Sequence, residues 1–366
     1  MQDNRLNIAR EIIDATDKEM AVLFKRRMEA AKLVAEYKMA NGLPIKDKER
    51  EEKIIIRNSR YMDGEEDIVK SCYISFMRSV IDLSCKYQQN IFHGMNVAFS
   101  GVKGAFASIA AGKIFPDANR IEHPNFTEAY NSVVEGKCDA VVLPLENSSA
   151  GDVGEVCDLM FNGTLYITAT FDLAVTHDLL VLPESDITKI TRVISHPQAL
   201  NQCVGYIEKH GWETVEYVNT AIAARYVAEL GDIHTAAIAS EEAAELYGLK
   251  VAERGINESR TNTTRFAVLS AVGNQNRSSG MENRFILMFT VRNEAGMLAK
   301  AIDIIGKHGY NMLSLRSRPM KELLWQYYFF VEAEGQINTQ NGKDMLEELS
   351  CCCDKLKLVG AFNHIN

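Results

Sequence analysis

Hydrophobic residues in the first forty positions repeat with a seven-residue period. No proline or glycine interrupts the stretch from Leu6 to about Ala40, and Gly42 and Pro44 follow it as a stop signal. The pattern predicts one helix of roughly 50 Å, at about 1.5 Å per residue. Its repeating positions form a seam of the coiled-coil type, which needs a long partner surface. They are Leu6, Ala9, Ile13, Thr16, Met20, Leu23, Arg27, Ala30, Val34 and Tyr37.

Arg27 stands in this seam where an apolar residue is expected, and Lys38 follows on nearly the same face, about 16 Å along the axis. A buried cation needs an anion, so Arg27 is either a structural or register-setting residue or a ligand for a small dianion. Arg10 lies about 25 Å from Arg27, too far to share one ligand within a helix. If Arg10 joins the site, it comes from a second chain, and an antiparallel two-fold pair gives two equivalent sites.

Two more helices are predicted before residue 95. The segment from Asp47 to about Arg60 places Asp47, Arg50 and Glu51 on one face, which indicates either a surface ion-pair cluster or a polar site. The segment from Glu65 to about Gln89 has an apolar row and a second row that becomes polar near its C-terminal end. The apolar row is Val69, Tyr73, Phe76, Val80, Leu83 and Tyr87, and the second row is Met77, Ile81, Ser84 and Gln88.

From Asn96 to about Val272, short apolar strands alternate with helices, which predicts an α/β unit with ligand loops at strand ends. Polar loops cover 144–151, 195–203, 219–221 and 262–266. Each is also consistent with turn or helix-cap chemistry, and Ser195 and Thr220 are typical N-cap residues. Helix N-termini offer N–H groups to a carboxylate, so a cap and a ligand site can coincide. Strands are predicted at 97–100, 140–144, 169–173, 179–182, 191–194 and 236–239, and helices at 106–115, 125–135, 197–209, 221–230 and 241–247.

A polar linker at 273–283 precedes a third pattern. The remaining segments predict the order β-α-β-β-α-β, which is typical of a ferredoxin-like fold. The predicted fold class is therefore multidomain, with an all-α three-helix unit at 1–92, a two-lobed α/β unit at 95–272 and an α+β unit at 283–366. The segments of the third unit are 285–291, 298–308, 313–318, 327–334, 343–352 and 356–362.

Composition narrows the function classes. A net charge of −9 argues against a nucleic-acid surface, so any anion site must be a local cluster. The polar start and the shortness of every apolar run predict no signal peptide and no membrane segment. Eight cysteines without CxxC pairs indicate reduced thiols and a cytoplasmic protein. The scattered histidines show no metal-ligand spacing, so neither a metal nor an organic cofactor is expected.

The polar positions of residues 5–90, taken together, resemble the all-helical chorismate mutase family. The resemblance implies a pericyclic rearrangement of chorismate to prephenate, which needs no nucleophile. The site must instead hold the folded dianion and stabilise negative charge growing on its ether oxygen. By this resemblance the carboxylates are held by Arg10 of the partner chain and Arg27, the ether oxygen by Lys38 and Gln88, and the ring hydroxyl by Glu51 and Asp47, with Ser84 and Arg50 completing the pocket.

The polar loops of residues 96–270 resemble prephenate dehydratase, a family of two α/β lobes around a cleft. The signatures are Glu146-Asn147-Ser148, Ser195-His196-Pro197-Gln198 with Gln202-Cys203 after it, the helix start at Thr220, and Asn262-x-Thr264-Arg265-Phe266. Loss of CO₂ and the ring hydroxyl from prephenate gives phenylpyruvate, which requires a proton donor and partners for two carboxylates. The resemblance implies Thr264 as that donor or its hydrogen-bonding proxy, Arg265 as a carboxylate ligand, and Asn147, Ser195, Gln202 and Thr220 as the cleft lining.

One loop departs from the dehydratase pattern. Ala105, Phe106 and Ala107 stand where the family usually has Thr-Tyr-Ser, so three hydrogen-bonding groups are missing near an expected substrate loop. Each lost hydrogen bond is worth about 0.5–1.5 kcal/mol. The departure predicts a weaker or differently tuned dehydratase.

The last segment resembles the ACT regulatory domain, which commonly binds amino acids at dimer interfaces. In dehydratases the effector is phenylalanine, through Gly-Ala-Leu and Glu-Ser-Arg-Pro motifs. The corresponding residues here are Gly296-Met297-Leu298 and Arg316-Ser317-Arg318-Pro319. We therefore predict effector binding by Gly296, Leu298, Ser317 and Arg318. Met297 fills space and Arg316 reverses a charge, which predicts weaker inhibition by phenylalanine.

These patterns predict a bifunctional enzyme of phenylalanine biosynthesis that converts chorismate to prephenate and prephenate to phenylpyruvate. It is expected to be a homodimer or higher homo-oligomer with small-molecule partners and neither nucleic acid nor membrane. Two alternatives stay open. The altered loop at 105–107 suits a chorismate mutase fused to a non-catalytic small-molecule sensor. An arogenate dehydratase would share the same motifs and make phenylalanine directly.

Overall fold

The computed structural model describes residues 2–41, 47–259, 261–274, 283–320 and 326–365. The chain divides into two compact units, Met1–Met95 and Asn96–Asn366. The stop signal predicted at Gly42 and Pro44 and the linker residues 275–282 lie outside the described residues.

The first unit consists of α1 (Gln2–Ala40), α2 (Lys48–Ser59) and α3 (Asp67–His93), with a 3-10 turn at Arg60–Met62 between the last two helices. The start of α2 follows from capping, because the Asp47 carboxylate accepts a hydrogen bond from the Arg50 backbone N–H at 3.0 Å. Gly94 ends α3 with φ of 75°, a conformation that residues with a side chain adopt at a cost. All three predicted helices are confirmed.

The predicted seam of α1 is exposed in the single chain. Leu6, Ile13 and Leu23 are 52%, 57% and 59% exposed. Ala31 and Ala35 are buried instead, one and two turns beyond Arg27, whose guanidinium donates to a carbonyl of α3. The described residues of the same chain therefore leave most of the seam uncovered.

The two rows predicted on α3 have different outcomes. The apolar row is largely exposed, with Phe76 and Leu83 both about half exposed. The neighbouring row lies inward, since Ile81, Ser84 and Gln88 are buried. The polar end of that inner row thus lies on the face that packs within the first unit.

Residues 96–274 of the second unit alternate strands and helices. The strands are β1 (Asn96–Ser100), β2 (Asn119–His123), β3 (Ala140–Asn147), β4 (Gly151–Asp152), β5 (Tyr166–Ala174), β6 (Asp178–Val181), β7 (Arg192–Ser195), β8 (Glu213–Glu216), β9 (Thr235–Ala239), β10 (Lys250–Glu253) and β11 (Thr263–Ser270). The helices are α4 (Phe106–Ile114), α5 (Phe126–Val134), α6 (Gly154–Asn162), α7 (Pro197–Gln202), α8 (Val204–His210), α9 (Thr220–Leu230) and α10 (Glu241–Tyr247).

These strands form two lobes, as predicted. In one lobe the order is β5-β11-β3-β1-β2, with β4 paired to β3, and in the other it is β10-β6-β9-β7-β8. The chain crosses between lobes twice, after β5 and before β11. Because β11 pairs antiparallel with β3, Thr264 is the register partner of Asn147.

The remaining elements are β12 (Asn283–Val291), α11 (Met297–Lys307), β13 (Asn311–Pro319), β14 (Tyr327–Glu334), α12 (Gln340–Ser350) and β15 (Cys353–Ile365). They follow the predicted β-α-β-β-α-β order. The end of β15 also pairs with β5, so that the described strands continue as one sheet in the order β13-β14-β12-β15-β5. Gly360 allows this approach, because a Cβ there would lie 2.4 Å from the Ile167 carbonyl oxygen.

The strands β2, β4, β8 and β10 and the helix α6 were not predicted. The edge strands β2 and β8 expose most of their side chains and therefore carry no apolar run. The predicted helix 197–209 breaks at Cys203 into α7 and α8. The loop predicted at 262–266 is wrong from Thr263 onward, because those residues pair with β3 and β5.

Candidate active sites

A cavity of about 410 Å³ is lined by residues of all three helices in the first unit. Its charged lining comprises four cations and two carboxylates, which leaves two positive charges and complements a dianion. The cations are Arg27, Lys38, Arg50 and Arg57, and the carboxylates are Asp47 and Glu51. Every predicted mutase residue except Arg10 is in this lining, which also includes Ser84 and Gln88.

Arg27 is attached to α3 by neutral groups. Its Nη1 donates to the Val80 carbonyl at 3.2 Å and to the Ser84 hydroxyl, which itself donates to the same carbonyl at 2.8 Å. Burial lowers the pKa of Arg27, but a guanidinium starts so high that it stays charged. Within the described residues Arg27 has no carboxylate partner, so the structural salt bridge considered for it is not formed there.

Gln88 is 7% exposed and ends the same polar row. Its Nε2 donates to the Ser84 carbonyl at 3.2 Å, while its Oε1 is buried without a partner among the described residues. A buried polar atom of this kind calls for a ligand or ordered water. The second hydrogen of Nε2 remains available to an acceptor in the cavity.

Arg10 is separated from this cavity. It lies exposed on α1, about 25 Å along the helix from Arg27, and does not line the cavity. The single chain therefore does not bring Arg10 together with the other predicted residues.

The second unit brings together Asn147, Gln202 and Thr264 around Asn262. The Asn147 Nδ2 donates to the Thr264 hydroxyl at 2.9 Å and to the Asn262 Oδ1 at 3.0 Å. The Asn262 Nδ2 donates in turn to the Gln202 Oε1 at 3.1 Å. Asn147, Asn262 and Thr264 are all buried, so this amide cluster is held rigidly at the ends of β3 and β11.

The N-cap prediction for Ser195 and Thr220 is wrong by one residue at each site. His196 caps α7, accepting from the Gln198 N–H at 3.2 Å, and Asn219 caps α9, accepting from the Ala221 N–H at 2.8 Å. Thr220 is the half-buried first residue of α9.

The cleft-lining prediction for Ser195 also fails. Its side chain is 0% exposed and its hydroxyl donates to the Ile238 carbonyl at 2.5 Å. Ser195 is the last residue of β7, and its hydroxyl is used to join that strand to β9.

Arg265 lies on the opposite face of β11 from Thr264, because successive strand residues alternate in direction. Its guanidinium makes a two-pronged contact with Asp172, at 2.9 and 3.2 Å, and reaches Glu332 at 3.5 Å. The side-chain hydrogen bond with Asp172 raises the pKa of Arg265. The carboxylates that Arg265 binds belong to the protein, so its prediction as a substrate ligand is corrected.

The predicted effector residues fall in two places. Leu298 lines a cavity of about 390 Å³ near the start of α11, and Gly296 is the N-cap of that helix. Ser317 and Arg318 do not line this cavity; Ser317 is exposed, and Arg318 donates to the Tyr328 hydroxyl at 3.1 Å. A single chain therefore does not assemble the four residues.

Arg316 contacts the dehydratase segment. Its guanidinium pairs with Glu146 at 2.7 Å and with Asp152. These two carboxylates are register partners in the β3–β4 hairpin, in which Asn147 is the last residue of β3 and pairs with Gly151. Arg316, which reverses a charge in the effector motif, is thus paired with carboxylates of its own chain.

The altered loop packs against the linker between the lobes. Ala105, at the N-cap position of α4, makes no side-chain cap hydrogen bond. The Phe106 ring meets the His177 ring edge-on, with centroids 5.6 Å apart. Phe106 also lines a cavity of about 620 Å³ that includes Asn262, whose charged lining is Lys113, Arg254, Asp178, Glu241 and Glu242. That surplus of carboxylates does not suit a dianion.

Sequence inspection missed three residues of these sites. Asn262 was visible within the dehydratase signature, and Arg57 follows Arg50 by two helical turns, so both had a local signal. His177 had none, because its contact with Gln202 arises only in the folded chain. Across the described ranges no group of metal-ligating side chains is found, and no helix there is long and apolar enough to span a membrane.

The fold and cavities define a class of protein in which one chain contains two units. One is a helical unit with a cationic pocket, and the other includes a two-lobed α/β region with a buried amide cluster. The chorismate mutase type II family matches residues 9–89, and the prephenate dehydratase family matches residues 97–274. The bifunctional chorismate mutase/prephenate dehydratase of Enterobacter agglomerans is 30% identical over 98% of this chain and 96% of its own length.

Two solved structures are similar to this chain over about three quarters of its length. The prephenate dehydratase of Arthrobacter aurescens, determined in complex with L-Phe, is 26% identical with a TM-score of 0.68, over 73% of this chain and 89% of that one. GqqA, described as a novel type of quorum quenching acylase, is 30% identical with a TM-score of 0.68, over 74% of this chain and 98% of that one. The chain belongs to the bifunctional chorismate mutase/prephenate dehydratase family and has both enzymatic activities.

Proposed function

We propose that the 410 Å³ cavity of the helical unit is the mutase site. The observation that supports it is the convergence of seven predicted residues on one cavity with two surplus positive charges. Arg27 binds a carboxylate of chorismate, and Lys38 with the second N–H of Gln88 meets the ether oxygen. Because the rearrangement moves no proton, its rate comes from holding the folded conformer and stabilising the developing negative charge.

The amide cluster is the proposed dehydratase site. The Thr264 hydroxyl oxygen accepts a hydrogen bond from Asn147, so its own hydrogen is directed elsewhere. That hydrogen goes to the ring hydroxyl of prephenate, which leaves as water while the ring carboxylate leaves as CO₂ and its bonding electrons complete the aromatic ring. The Asn147 N–H stabilises the charge that develops on the Thr264 oxygen, and solvent restores its proton.

The exposed seam of α1 supports a homodimer in which Arg10 completes the partner's mutase site. Residues 1–92 form the mutase domain and residues 95–272 the dehydratase domain in this proposal. Residues 283–366 form an ACT regulatory domain in this proposal, with phenylalanine as its effector. The structure of the Arthrobacter aurescens prephenate dehydratase in complex with L-Phe supports this choice of ligand. The small-molecule substrates and reduced thiols suit an enzyme of the cytoplasm.

Substrate feeding tests the dehydratase assignment against its alternatives. Purified protein supplied with chorismate should accumulate phenylpyruvate, followed by its ultraviolet absorbance in alkali. Prephenate that accumulates without phenylpyruvate would support a mutase fused to a non-catalytic sensor. Arogenate supplied separately should give little phenylalanine, and a faster reaction with arogenate than with prephenate would reassign the substrate.

A further inference from the structure

His177 is a buried polar residue that the proposed mechanism does not yet use. It lies in the linker between β5 and β6 and is 3% exposed. Its backbone N–H donates to the Asn257 side chain at 3.1 Å, and its carbonyl accepts from the Ile256 N–H at 2.9 Å. The crossing before β11 thus holds the His177 backbone, while the ring Nε2 lies 2.8 Å from the Oε1 of Gln202 on α7.

The direction of the hydrogen bonds around His177 follows from two backbone groups. The N–H groups of Ser149 and Ala150 both point at the Asn147 Oδ1, at 3.0 Å each. A backbone N–H can only donate, so this atom must be the amide oxygen, and the Asn147 nitrogen must face Asn262 and Thr264.

The same reasoning continues along the chain of side chains. Since the Asn147 nitrogen donates to Asn262, the atom it meets is the Asn262 oxygen, and the Asn262 nitrogen faces Gln202. The Gln202 atom there must be its oxygen, which also faces the His177 Nε2. His177 must therefore donate, which places a proton on Nε2. The Nδ1 is buried without a partner among the described residues.

We propose that His177 is a positioning residue for the dehydratase step, which acts by donating to Gln202 and so holds the Gln202 amide in place at the end of the Asn147–Asn262–Gln202 relay. Both acceptor positions of the Gln202 oxygen are then used by His177 and Asn262. The Gln202 Nε2, which has no protein partner among the described residues, is left to donate to a substrate carboxylate. At the other end, Thr264 keeps its hydrogen for the departing hydroxyl.

The surroundings keep His177 in the form that this role needs. Burial lowers the pKa of His177, and the nearby His196 lowers it further, while the hydrogen bond to Gln202 opposes them. The Phe106 ring packs edge-on against the imidazole. A second proton on Nδ1 would be buried without an acceptor, so the neutral Nε2–H tautomer is favoured.

Replacement of His177 tests the proposal in the full-length enzyme, with mutase activity as an internal control for folding. His177→Phe retains a ring against Phe106 but removes the donor, and should lower dehydratase kcat/KM about 10-fold or more. His177→Gln restores an N–H near the position of Nε2 and should recover most of that loss. The matched control His210→Phe, at a ring that stacks on Trp212, should leave both activities within about twofold.

A double-mutant cycle separates positioning from general destabilisation. Gln202→Met removes the acceptor, so adding His177→Phe to it should cost little more, whereas independent effects would multiply. Multiplied losses, an inactive His177→Gln, or an unchanged His177→Phe would each overturn the inference. The inference rests on the proposed dehydratase site, which Thr264→Ala tests separately. If Thr264→Ala leaves the dehydratase rate unchanged, the proposed site is wrong. If Thr264→Ala lowers the rate as expected but the losses of His177→Phe and Gln202→Met multiply, only the role of His177 is wrong.

Discussion

The two proposed sites of this chain use opposite kinds of polar group. The mutase cavity is built from charged side chains, four cations and two carboxylates. The dehydratase cluster is built from neutral amides and a hydroxyl, and Arg265, which follows Thr264 in β11, lies on the opposite face and is neutralised by Asp172 and Glu332. The helical unit thus offers charged groups that stabilise charge directly, whereas the second unit offers neutral groups that orient individual hydrogen atoms.

The two reactions explain the difference. A pericyclic step moves no proton, so its catalysis depends on electrostatic stabilisation of the developing charge. This interaction acts over several ångströms, so charged side chains on helix surfaces can supply it. Donation of one proton to one oxygen needs a defined hydrogen direction, because hydrogen bonds weaken steeply off their axis. Buried strands in register supply that direction, as the Thr264–Asn147 pair illustrates.

The two units also differ in whether a single chain brings together all residues of the proposed site. The dehydratase cluster is assembled by one chain, with Asn147, Asn262 and Thr264 buried. The helical unit leaves Leu6, Ile13 and Leu23 more than half exposed and leaves Arg10 outside the cavity. This contrast supports the proposal that Arg10 of a second chain completes the mutase site.

Removal of Lys38 should give the largest separation between the two activities. Lys38→Ala should lower prephenate formation about 10³-fold, the upper end for one preorganised donor, because no other group replaces its charge at the ether oxygen. Turnover of supplied prephenate should remain largely intact. Lys32→Ala, an exposed lysine on the same helix, is the control. An equal fall in both activities with folding unchanged would contradict separate sites.

The converse separation is expected at Thr264. Thr264→Ala should lower phenylpyruvate formation about 10²-fold or more, the usual scale for a positioned proton donor, and prephenate should accumulate from chorismate. Thr264→Ser keeps the hydroxyl and should retain much of the rate. Thr263→Ala removes the neighbouring hydroxyl, which bonds to the Thr261 carbonyl, and serves as the control. A normal rate in Thr264→Ala would remove Thr264 from the mechanism.

Mixed dimers test whether the mutase site is shared. Pure Arg10→Ala and pure Lys38→Ala dimers should each lack mutase activity. Random subunit exchange makes about half the dimers mixed, each with one intact site in two, so about a quarter of wild-type activity should return. A size-tagged chain verifies that mixed dimers are present. Activity that stays at background in verified mixed dimers would show that Arg10 does not act across the interface.

The smallest effect is expected at Arg316. Arg316→Ala leaves Glu146 and Asp152 without their cation, which should destabilise the β3–β4 hairpin by about 1–3 kcal/mol of unfolding free energy. Loosening of Asn147 in that hairpin should lower dehydratase kcat/KM about threefold to tenfold, with mutase activity unchanged. Lys307→Ala, at an exposed ion pair, is the control. Equal thermal unfolding of variant and wild type would contradict a stabilising pair.

The same contact changes the expectation for regulation. Arg316→Glu, which restores the family's effector motif, would place a third carboxylate beside Glu146 and Asp152. We therefore expect it to impair the dehydratase rather than to strengthen phenylalanine inhibition, which activity measured with and without phenylalanine distinguishes.

Local sequence was sufficient for the helical unit and for most of its cavity. On a helix, spacing alone decides which side chains share a face, so Arg27 with Lys38 and Asp47 with Arg50 and Glu51 were grouped correctly from position alone. The α3 row that ends in Ser84 and Gln88 was likewise recognised from its period, but its inward orientation was established only by the structure.

Only the tertiary structure decided the partners in the second unit. Asn147 and Thr264 are 117 positions apart, and Arg316 and Glu146 are 170 apart. Which of these groups meet depends on strand register and on how β15 pairs with both β12 and β5, and a one-residue slip reverses every side chain. That is why the sequence by itself identified the motif around Thr264 but not the opposite orientation of Arg265, the burial of Ser195 or the contact between His177 and Gln202. Periodicity describes one element, whereas hydrogen-bond direction is a property of elements packed together.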